Sequence, residues 1–356
     1  MSRLIENSKK SKVESRKTLS SLSVSGLLTL SVVVFLLAGC APRVATSFWR
    51  IGTPADSTRE GYTVIHAEGK TRHCYPITEW SSTDEKEDVY HSLHHHGVAI
   101  ESEQMAYRIY FDKKQTIDPY CKRTPQLELA QSYWYPNDSL LADGYGDDIL
   151  RVSGTVGVGS VKYWNGKKQV HIEHIASRSQ RIVSQSRTKA AIEVAVKGWQ
   201  TEGRTADMTT RYTMQAGHRD MRCDVYVSEP IKGLCTGVQT IPAKGPDDKS
   251  QITHVQLENG VLLASWGTDW PVNDSAKYAK ETVGLGVFIP KEYAGELVHD
   301  KSNNLCLLNV LPFREGSGLG LHFYLTCCGA TKENHPVAKT AEEWIAYLKK
   351  WAKGLK

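Results

Sequence analysis

The sequence lacks the features that mark several large classes of protein. Its eight cysteines include no CxxC pair, which argues against a zinc knuckle. It has no internal repeat and no low-complexity segment, so neither a repeat array nor a compositionally biased chain is indicated. Apart from one apolar stretch near the N-terminus, no run of about 18 or more apolar residues could span a bilayer.

The single apolar stretch, roughly residues 22–37, has the pattern of an export signal. A basic segment precedes it, and it ends in Leu37-Ala38-Gly39-Cys40. Small residues before a cysteine suit lipoprotein processing, after which the thiol carries diacylglycerol. We therefore expect a secreted lipoprotein anchored to a membrane through Cys40; the alternative is an uncleaved anchor helix. If the source is Gram-negative, Ala41 favours the outer membrane. The expected location is thus the outer membrane or a membrane that faces the periplasm.

The charge of the expected mature chain is close to neutral. The whole chain has 44 Lys+Arg and 39 Asp+Glu, a net of +5. The segment before Cys40 holds six of the basic and two of the acidic residues, which leaves 38 and 37 and a net of +1. With no basic cluster, this balance argues against a nucleic-acid partner.

The seven remaining cysteines have two interpretations. If the compartment is oxidising, Cys223 and Cys235 are close enough in sequence to bridge a short loop. The alternative is a set of buried apolar thiols on strands. An odd number leaves at least one thiol free in either case.

Most of the chain after residue 61 reads as short strands rich in β-branched and aromatic residues. The expected strands include residues 98–100, 107–112, 150–152, 156–159, 170–172, 190–196, 209–213, 224–227, 261–266, 283–289 and 319–325. Asn165-Gly166 and Asn259-Gly260 are hairpin signals. Residues 41–60 are polar and predict a tether to the lipid, followed by a single domain over 61–356.

One helix is predicted at the C-terminus, over residues 340–352. Thr340 can cap it, and Trp344, Leu348 and Trp351 form an apolar stripe at helical spacing. The expected fold class is all-β: a large antiparallel sandwich closed by this helix.

The segment HHHGVAIESEQMAYRIYFDKKQTIDPYCK, followed by LELAQSYWYPNDSLLADGYGDDILRVSGTVGVGSVKYWNGKK, resembles a bacterial family known as domain of unknown function 4861. The resemblance covers about residues 48–352. It implies a β-supersandwich of the galactose-mutarotase type and an association with the degradation of uronic-acid polysaccharides. Members often have Gly where this chain has Cys121, so a strained turn is expected there if its φ is positive.

The expected strand 107–112 carries the first candidate site. Alternation places Arg108, Tyr110 and Asp112 on one face, with Tyr107 and its apolar neighbours in the core. An arginine can bind a uronate carboxylate, and a tyrosine can act as acid or base. The alternatives are a solvated face or a structural Arg–Asp pair.

Three consecutive histidines precede this strand. In an extended chain His94 and His96 would face one way and His95 the other. Histidine suits proton transfer near neutral pH and also binds metals, but no third ligand stands at a suitable spacing. Acid–base chemistry, a metal site and a structural role remain open.

Further candidates for substrate binding come from aromatic, paired acidic and His-Arg segments, with core packing or solvated turns as the alternatives. They are Tyr133, Trp134, Asp147, Asp148, His218, Arg219, Trp266 and Trp270. Calcium at the paired carboxylates is possible, although the usual loop spacing is absent; no other cofactor or metal is implied.

These residues support three hypotheses. The first is elimination on an acidic oligosaccharide, as a lyase or dehydratase, with Arg108 on the carboxylate, His94 or His96 as base and Tyr110 as acid or base partner. The second is a glycoside hydrolase that pairs Asp112 with Asp147 or Asp148. The third is a lipoprotein that binds an acidic glycan without catalysis.

Overall fold

A computed structural model describes residues 43–67, 70–83, 92–132, 136–241, 250–272, 275–276, 278–312 and 318–355. The expected lipidation residue Cys40 and the aromatic candidates Tyr133 and Trp134 lie outside these ranges. None of the helices in the described part of the chain is long and apolar enough to cross a bilayer.

The described residues are mostly strand, with two short α-helices. In chain order the strands are β1 (Val44–Ser47), β2 (Trp49–Gly52), β3 (Thr63–Ala67), β4 (Lys70–Pro76), β5 (Glu79–Ser82), β6 (Gly97–Ser102), β7 (Met105–Tyr110), β8 (Ile117–Cys121), β9 (Lys162–Trp164), β10 (Gln169–Val170), β11 (Ser177–Gln185), β12 (Lys189–Thr201), β13 (Arg204–Gln215), β14 (Met221–Val227), β15 (Leu234–Gln239), β16 (Gln251–Leu257), β17 (Gly260–Asp269), β18 (Glu281–Pro290), β19 (Ala294–His299), β20 (Asn303–Leu308), β21 (Leu311–Pro312) and β22 (Leu319–Gly329). The helices are α1 (Asp138–Ala142) and α2 (Ala341–Lys353), and 3-10 turns occupy residues 54–58 and 94–96.

The strands form four sheets in which all pairings are antiparallel. The largest has the order β16-β17-β18-β22-β14-β13-β12-β11-β5, with β21 beside β22. The others have the orders β10-β9-β15-β20-β19, β1-β6-β7-β8 and β2-β4-β3. The prediction of an all-β antiparallel sandwich with a C-terminal helix is confirmed.

The core lies between the large sheet and two smaller ones. β6 packs across β11, β12 and β13, and β15 packs across β17 and β18. Along β13 the side chains alternate strictly, so that Met208, Tyr212 and Met214 enter this core while Arg211 and Thr213 face outward. The outward face of the large sheet is therefore polar along β13.

Helix α2 covers another part of that outward face. Trp344 and Leu348 are fully buried against Leu262 and Phe288. A Cβ at Gly284 would lie 2.7 Å from the Trp344 ring, so the close approach of the helix needs glycine there. Thr340 caps the helix by accepting a hydrogen bond from the Glu343 backbone, as predicted.

The predicted tether over residues 41–60 is wrong for residues 44–52. Val44–Ser47 pairs with β6 and Trp49–Gly52 pairs with β4. Val44 and Phe48 are buried in the core. The segment is polar on average, so its composition did not predict that these two apolar side chains would face inward.

Several local expectations also differ. Residues 150–159 form loops with isolated bridges at Gly157 and Val158, and no regular strands. The second hairpin turns at Glu258 and Asn259, because Leu257 pairs with Gly260. Cys121 ends a strand and has no positive φ, so the expected strain is absent. All seven described cysteines are buried and free, including Cys223 and Cys235, so these two form no disulfide.

Candidate functional site

The three histidines form a tight turn immediately before β6. The backbone N–H of His96 bonds the carbonyl oxygen of Leu93, as in a 3-10 turn, but φ is 58° at His95 and 61° at His96, which is left-handed backbone. The expected extended chain is therefore wrong. Positive φ is uncommon for residues other than glycine and is associated with functional sites. Gly97 has a φ of 153°, and a Cβ there would collide with the carbonyl oxygen of Ile109.

Two of the imidazoles bind the backbone of a neighbouring loop. Nε2 of His94 lies 3.1 Å from the carbonyl oxygen of Ser132, and Nε2 of His95 lies 2.8 Å from that of Leu129. Since a carbonyl oxygen only accepts, each Nε2 carries its proton and donates. The two rings meet edge to face, 3.9 Å between centroids. His94 and His95 therefore hold the segment 129–132 against β6.

Arg108 occupies a buried ionic cluster beneath the histidines. Its side chain is 1% exposed, and Nη2 bonds Oδ2 of Asp118 and, at 3.0 Å, Oδ2 of Asp148. The guanidinium also lies 4.3 Å from the ring centroid of Tyr120. The expectation that Arg108 binds the carboxylate of a uronate conflicts with this burial and with its two ion pairs. The alternative of a structural Arg–Asp pair holds, with Asp118 and Asp148 as partners and not Asp112.

Tyr110 connects this cluster to His96. Its hydroxyl donates to Oδ2 of Asp118 at 2.8 Å. Its ring meets that of His96 edge to face, with centroids 5.4 Å apart and an interplanar angle of 82°. His96 is 9% exposed and Tyr110 8%, whereas His95 and Arg108 are almost fully enclosed. Both residues are therefore buried next to the ion pairs, and only a small part of each is accessible to solvent.

Lys114 and Asp112 lie beside the His96–Tyr110 pair. Nζ of Lys114 lies 5.4 Å from the ring centroid of Tyr110 and 3.3 Å from Oδ2 of Asp112. Both side chains are partly exposed. Oδ1 of Asp112 accepts the backbone N–H groups of Lys114 and Gln115, which fixes the turn after β7. We call His96, Tyr110, Asp112 and Lys114 the His96–Tyr110 site.

Burial and positive charge set the protonation states here. Burial lowers the pKa of His96 to about 2, and the charge of Arg108 adds to the effect. Burial likewise lowers the pKa of His94 to about 4. The pKa of Tyr110 is raised well above its ordinary range, by burial and then by the charge of Asp118. At neutral pH the site therefore offers a neutral imidazole, a protonated phenol and a nearby ammonium.

The adjacent acids Asp147 and Asp148 pair with different cations. Asp147 accepts a hydrogen bond of 2.7 Å from Lys332, whereas Asp148 bonds Arg108. Burial raises the pKa of Asp148 well above its ordinary range, and the charge of Asp118 adds to this. The carboxylate oxygens that would bind calcium are therefore already paired with Lys332 and Arg108. Within the described ranges, no three His, Cys, Asp or Glu side chains are grouped to hold a metal ion.

The remaining candidates lie away from the His96–Tyr110 site. Arg219 is buried and bonds Glu333 through both terminal nitrogens, and it also donates to the Cys327 carbonyl, which is a structural role. Trp266 is buried beneath α2, so the expected stacking on sugar is wrong for it. Trp270 is partly exposed, with Nζ of Lys280 4.7 Å from its ring centroid. His218 lies at a groove on the outward face of the large sheet.

Asp118 and Lys114 belong to this region but carry no motif of their own in the sequence. Arg108 and Asp118 are direct partners in the pairing of β7 with β8, so a register for that hairpin would have placed them together. Lys114 stands in the turn that joins these strands, only four residues after Tyr110. A prediction of the β7–β8 hairpin would have identified both residues, because the hairpin brings residues 108 and 118 next to each other.

These features define the class of protein: an antiparallel β-sandwich with a buried Arg–Asp cluster and a largely buried His–Tyr pair beside it. A family model for a domain of unknown function, DUF4861, matches residues 53–356. The chain therefore belongs to the DUF4861 family, as its resemblance indicated. A search of curated proteins finds no match.

Proposed function

We propose that this protein acts on oligosaccharides that contain uronic acid, and that it does so by elimination at the His96–Tyr110 site. The observation that supports this most directly is the edge-to-face contact of His96 and Tyr110, with Lys114 beside them. A base, an acid and a cation for a carboxylate are the three groups that elimination next to a carboxylate requires.

His96 is the base in this proposal. Because burial lowers its pKa to about 2, the charge of the bound substrate carboxylate has to raise that pKa before the imidazole can hold a proton. The imidazole removes the proton on the carbon next to the carboxylate, and that electron pair forms the carbon–carbon double bond. The bond to the leaving oxygen breaks as the Tyr110 hydroxyl gives up its hydrogen bond to Asp118 and transfers its proton to this oxygen. His96 then returns its proton to solvent while Tyr110 regains one. No water is consumed, and no oxidant or reductant is needed.

Lys114 takes the role that the sequence suggested for Arg108. Arg108 is bonded to two carboxylates, so binding a third would require these pairs to break, at a cost of several kcal/mol. Lys114 has an ammonium at the partly exposed surface. In this proposal Arg108 acts through Asp118, which orients the Tyr110 hydroxyl.

Hydrolysis by paired carboxylates has less support. Asp112 fixes a turn, Asp147 bonds Lys332 and Asp148 bonds Arg108, so the three acids have different partners. A hydrolase needs two carboxyl groups that flank one bond, one to give a proton and one to activate water or attack. Binding without catalysis leaves the His–Tyr contact unexplained.

Membrane anchoring through Cys40 is part of the same proposal. The sequence Leu37-Ala38-Gly39-Cys40 supports it, and a lipid anchor would hold the sandwich at a periplasm-facing or outer membrane surface. Metabolic labelling with a palmitate analogue tests this: label lost in Cys40→Ser supports the anchor, and label retained overturns it.

The decisive experiment incubates the protein with pectic, ulvan-type and glycosaminoglycan oligosaccharides and weighs the products. Elimination gives fragments whose masses sum to that of the substrate, together with the ultraviolet absorbance of an unsaturated uronate. Dehydration gives a product lighter by one water. Fragments that together gain one water indicate hydrolysis and overturn the proposal, as does the absence of any product from every acidic substrate.

A further inference from the structure

A groove of about 520 Å³ lies on the outward face of the large sheet, next to the C-terminal end of α2 at Gly354 and Leu355. This volume is within the range of about 300–1,000 Å³ that is usual for small-molecule sites. It lies across β11, β12, β13, β14 and β22, on the side of the sheet that does not face the main core. The function proposed above makes no use of it.

Strand register explains the shape of the groove. Two rows of cross-strand neighbours face outward here: Ala191, Thr213, Arg222 and Tyr324 in the first, and Glu193, Arg211, Asp224 and His322 in the second. Ala191 and Thr213 are short, whereas Arg222 and Tyr324 are long. Side chains of the first row therefore extend a short distance from the sheet at Ala191 and Thr213 and a longer distance at Arg222 and Tyr324. This difference leaves a depression bordered by charged and aromatic side chains.

Both arginines of the groove are held in place by carboxylates. Arg222 donates to Asp224 at 2.8 to 3.2 Å and to the hydroxyl of Tyr324 at 3.2 Å. Arg211 donates to Glu193 through Nε at 2.8 Å and Nη2 at 2.5 Å. Each guanidinium has five N–H donors, so these contacts leave others for a ligand. Because the side chains are already fixed, binding would cost little of their conformational entropy.

His218 is oriented in the same way at one end of the groove. Its Nδ1 lies 3.1 Å from Oδ1 of Asp220, and its carbonyl oxygen accepts a hydrogen bond from Ser102. The side chain is 51% exposed, and the contact with Asp220 directs Nε2 away from that carboxylate. An imidazole fixed at one nitrogen and exposed to solvent is suited to contact a ligand.

We propose that this groove is a second binding site, and that its ligand is an acidic oligosaccharide. Arg211, Arg222 and Lys189 supply the cations, and the nearby acids Glu193, Asp224 and Asp220 are engaged by Arg211, Arg222 and His218. Guanidinium groups bind carboxylates, and donors set beside acceptors suit a ligand rich in hydroxyl groups. Tyr324, which is 8% exposed, contributes a small part of the lining.

The groove and the His96–Tyr110 site are separate. His96 directly precedes β6, and His218 is bonded to Ser102 at the other end of that strand. Five residue steps along a strand cover about 17 Å. The groove can therefore bind a saccharide whether or not the reaction proposed above takes place.

The test titrates the protein with a galacturonate trisaccharide and, in parallel, with a neutral galactose trisaccharide. We expect the acidic probe to bind and Arg222→Met to weaken groove binding at least about tenfold. Arg181→Met is the matched control, because Arg181 also pairs with Glu193 but does not line the groove. His218→Ala serves as a second variant that removes no buried ion pair.

Arginine modification assigns the binding to this groove. Phenylglyoxal labels exposed guanidinium groups, and mass spectrometry of the peptides locates the label. The acidic probe should protect Arg211 and Arg222 but leave Arg181 reactive. Unchanged affinity in folded Arg222→Met and His218→Ala, equal binding of the neutral probe, or no protection of either arginine would each overturn the proposal. Loss of turnover in His96→Asn with groove binding intact would show that the two sites fail independently.

Discussion

Tyr110 donates its hydroxyl to Asp118 at 2.8 Å while the same ring meets His96 edge to face. One residue therefore joins the buried ion pairs to the imidazole of His96. Arg108 and Asp118 determine where the phenol points, and burial keeps its proton in place. The elimination proposed at the His96–Tyr110 site thus depends on a buried cluster that the substrate does not need to contact.

The first prediction concerns the acid and the base. His96→Asn keeps a residue that tolerates positive φ, and Tyr110→Phe removes only the hydroxyl. Each should lower kcat on the responsive oligosaccharide by about 10² to 10⁴-fold, the usual contribution of a positioned proton donor or acceptor. Thermal melting should show that the variants remain folded.

Matched controls are available for both changes. His66→Asn alters an exposed histidine on β3, and Tyr163→Phe alters a partly exposed tyrosine on β9. Neither contacts the His96–Tyr110 site, so both should keep wild-type turnover. Equal activity of His96→Asn and wild type would remove His96 as the base.

The second prediction concerns Arg108. Arg108→Met leaves the buried Asp118 and Asp148 carboxylates without their shared cation, so the free energy of unfolding should fall by about 3–5 kcal/mol. Urea denaturation monitored by circular dichroism measures the loss. Arg181→Met, at a half-exposed pair, should cost about 1 kcal/mol or less. Similar losses for the two variants would contradict the structural role of Arg108.

The third prediction concerns acid stability. The pKa of His94 is lowered from its ordinary 6.5 to about 4 by burial, so the unfolded chain binds more protons between these values. The stabilisation from His94 is complete above pH 6.5 and is lost as the pH falls toward 4. Relative to His94→Asn, the wild type should lose up to about 1.4 kcal/mol per pH unit in this window.

This difference between two proteins is the useful measurement. Glu281, whose pKa burial raises to about 7, titrates in the opposite sense and partly masks the effect in the wild type alone. Urea titrations of both proteins at pH 7, 5.5 and 4.5 cancel that contribution. A difference that stays constant with pH would show that His94 is not held neutral by the fold.

The fourth prediction concerns α2. Trp344 is fully buried, donates to the carbonyl oxygen of Leu285 at 3.1 Å and packs on Gly284. Trp344→Ala should lower the free energy of unfolding by about 3–5 kcal/mol because it opens a large cavity. The exposed Lys349→Ala on the same helix should change stability by less than about 0.5 kcal/mol. Thermal or urea unfolding distinguishes the two.

The sequence alone determined the fold class and much of the local structure of this protein. Alternation along β13, the capping threonine of α2 and its tryptophan stripe are periodic or short-range signals, which depend on neighbours within a few residues. Sequence analysis also selected His96 and Tyr110, since both residue types are suited to proton transfer and stand near one strand.

Only the tertiary structure decided which of these side chains are accessible. Arg108 and Asp112 were expected on one strand face, yet Arg108 is enclosed by Asp118 and Asp148, whereas Asp112 is partly exposed. The burial of Arg108 depends on β8 and on residue 148, which is distant in the chain. Strand alternation predicts which face of the sheet a side chain is on, but it does not predict which other segments cover that face. The left-handed turn at His95 and His96 and the groove at Arg222 depend in the same way on packing and cross-strand register, because several separate segments must meet before either exists.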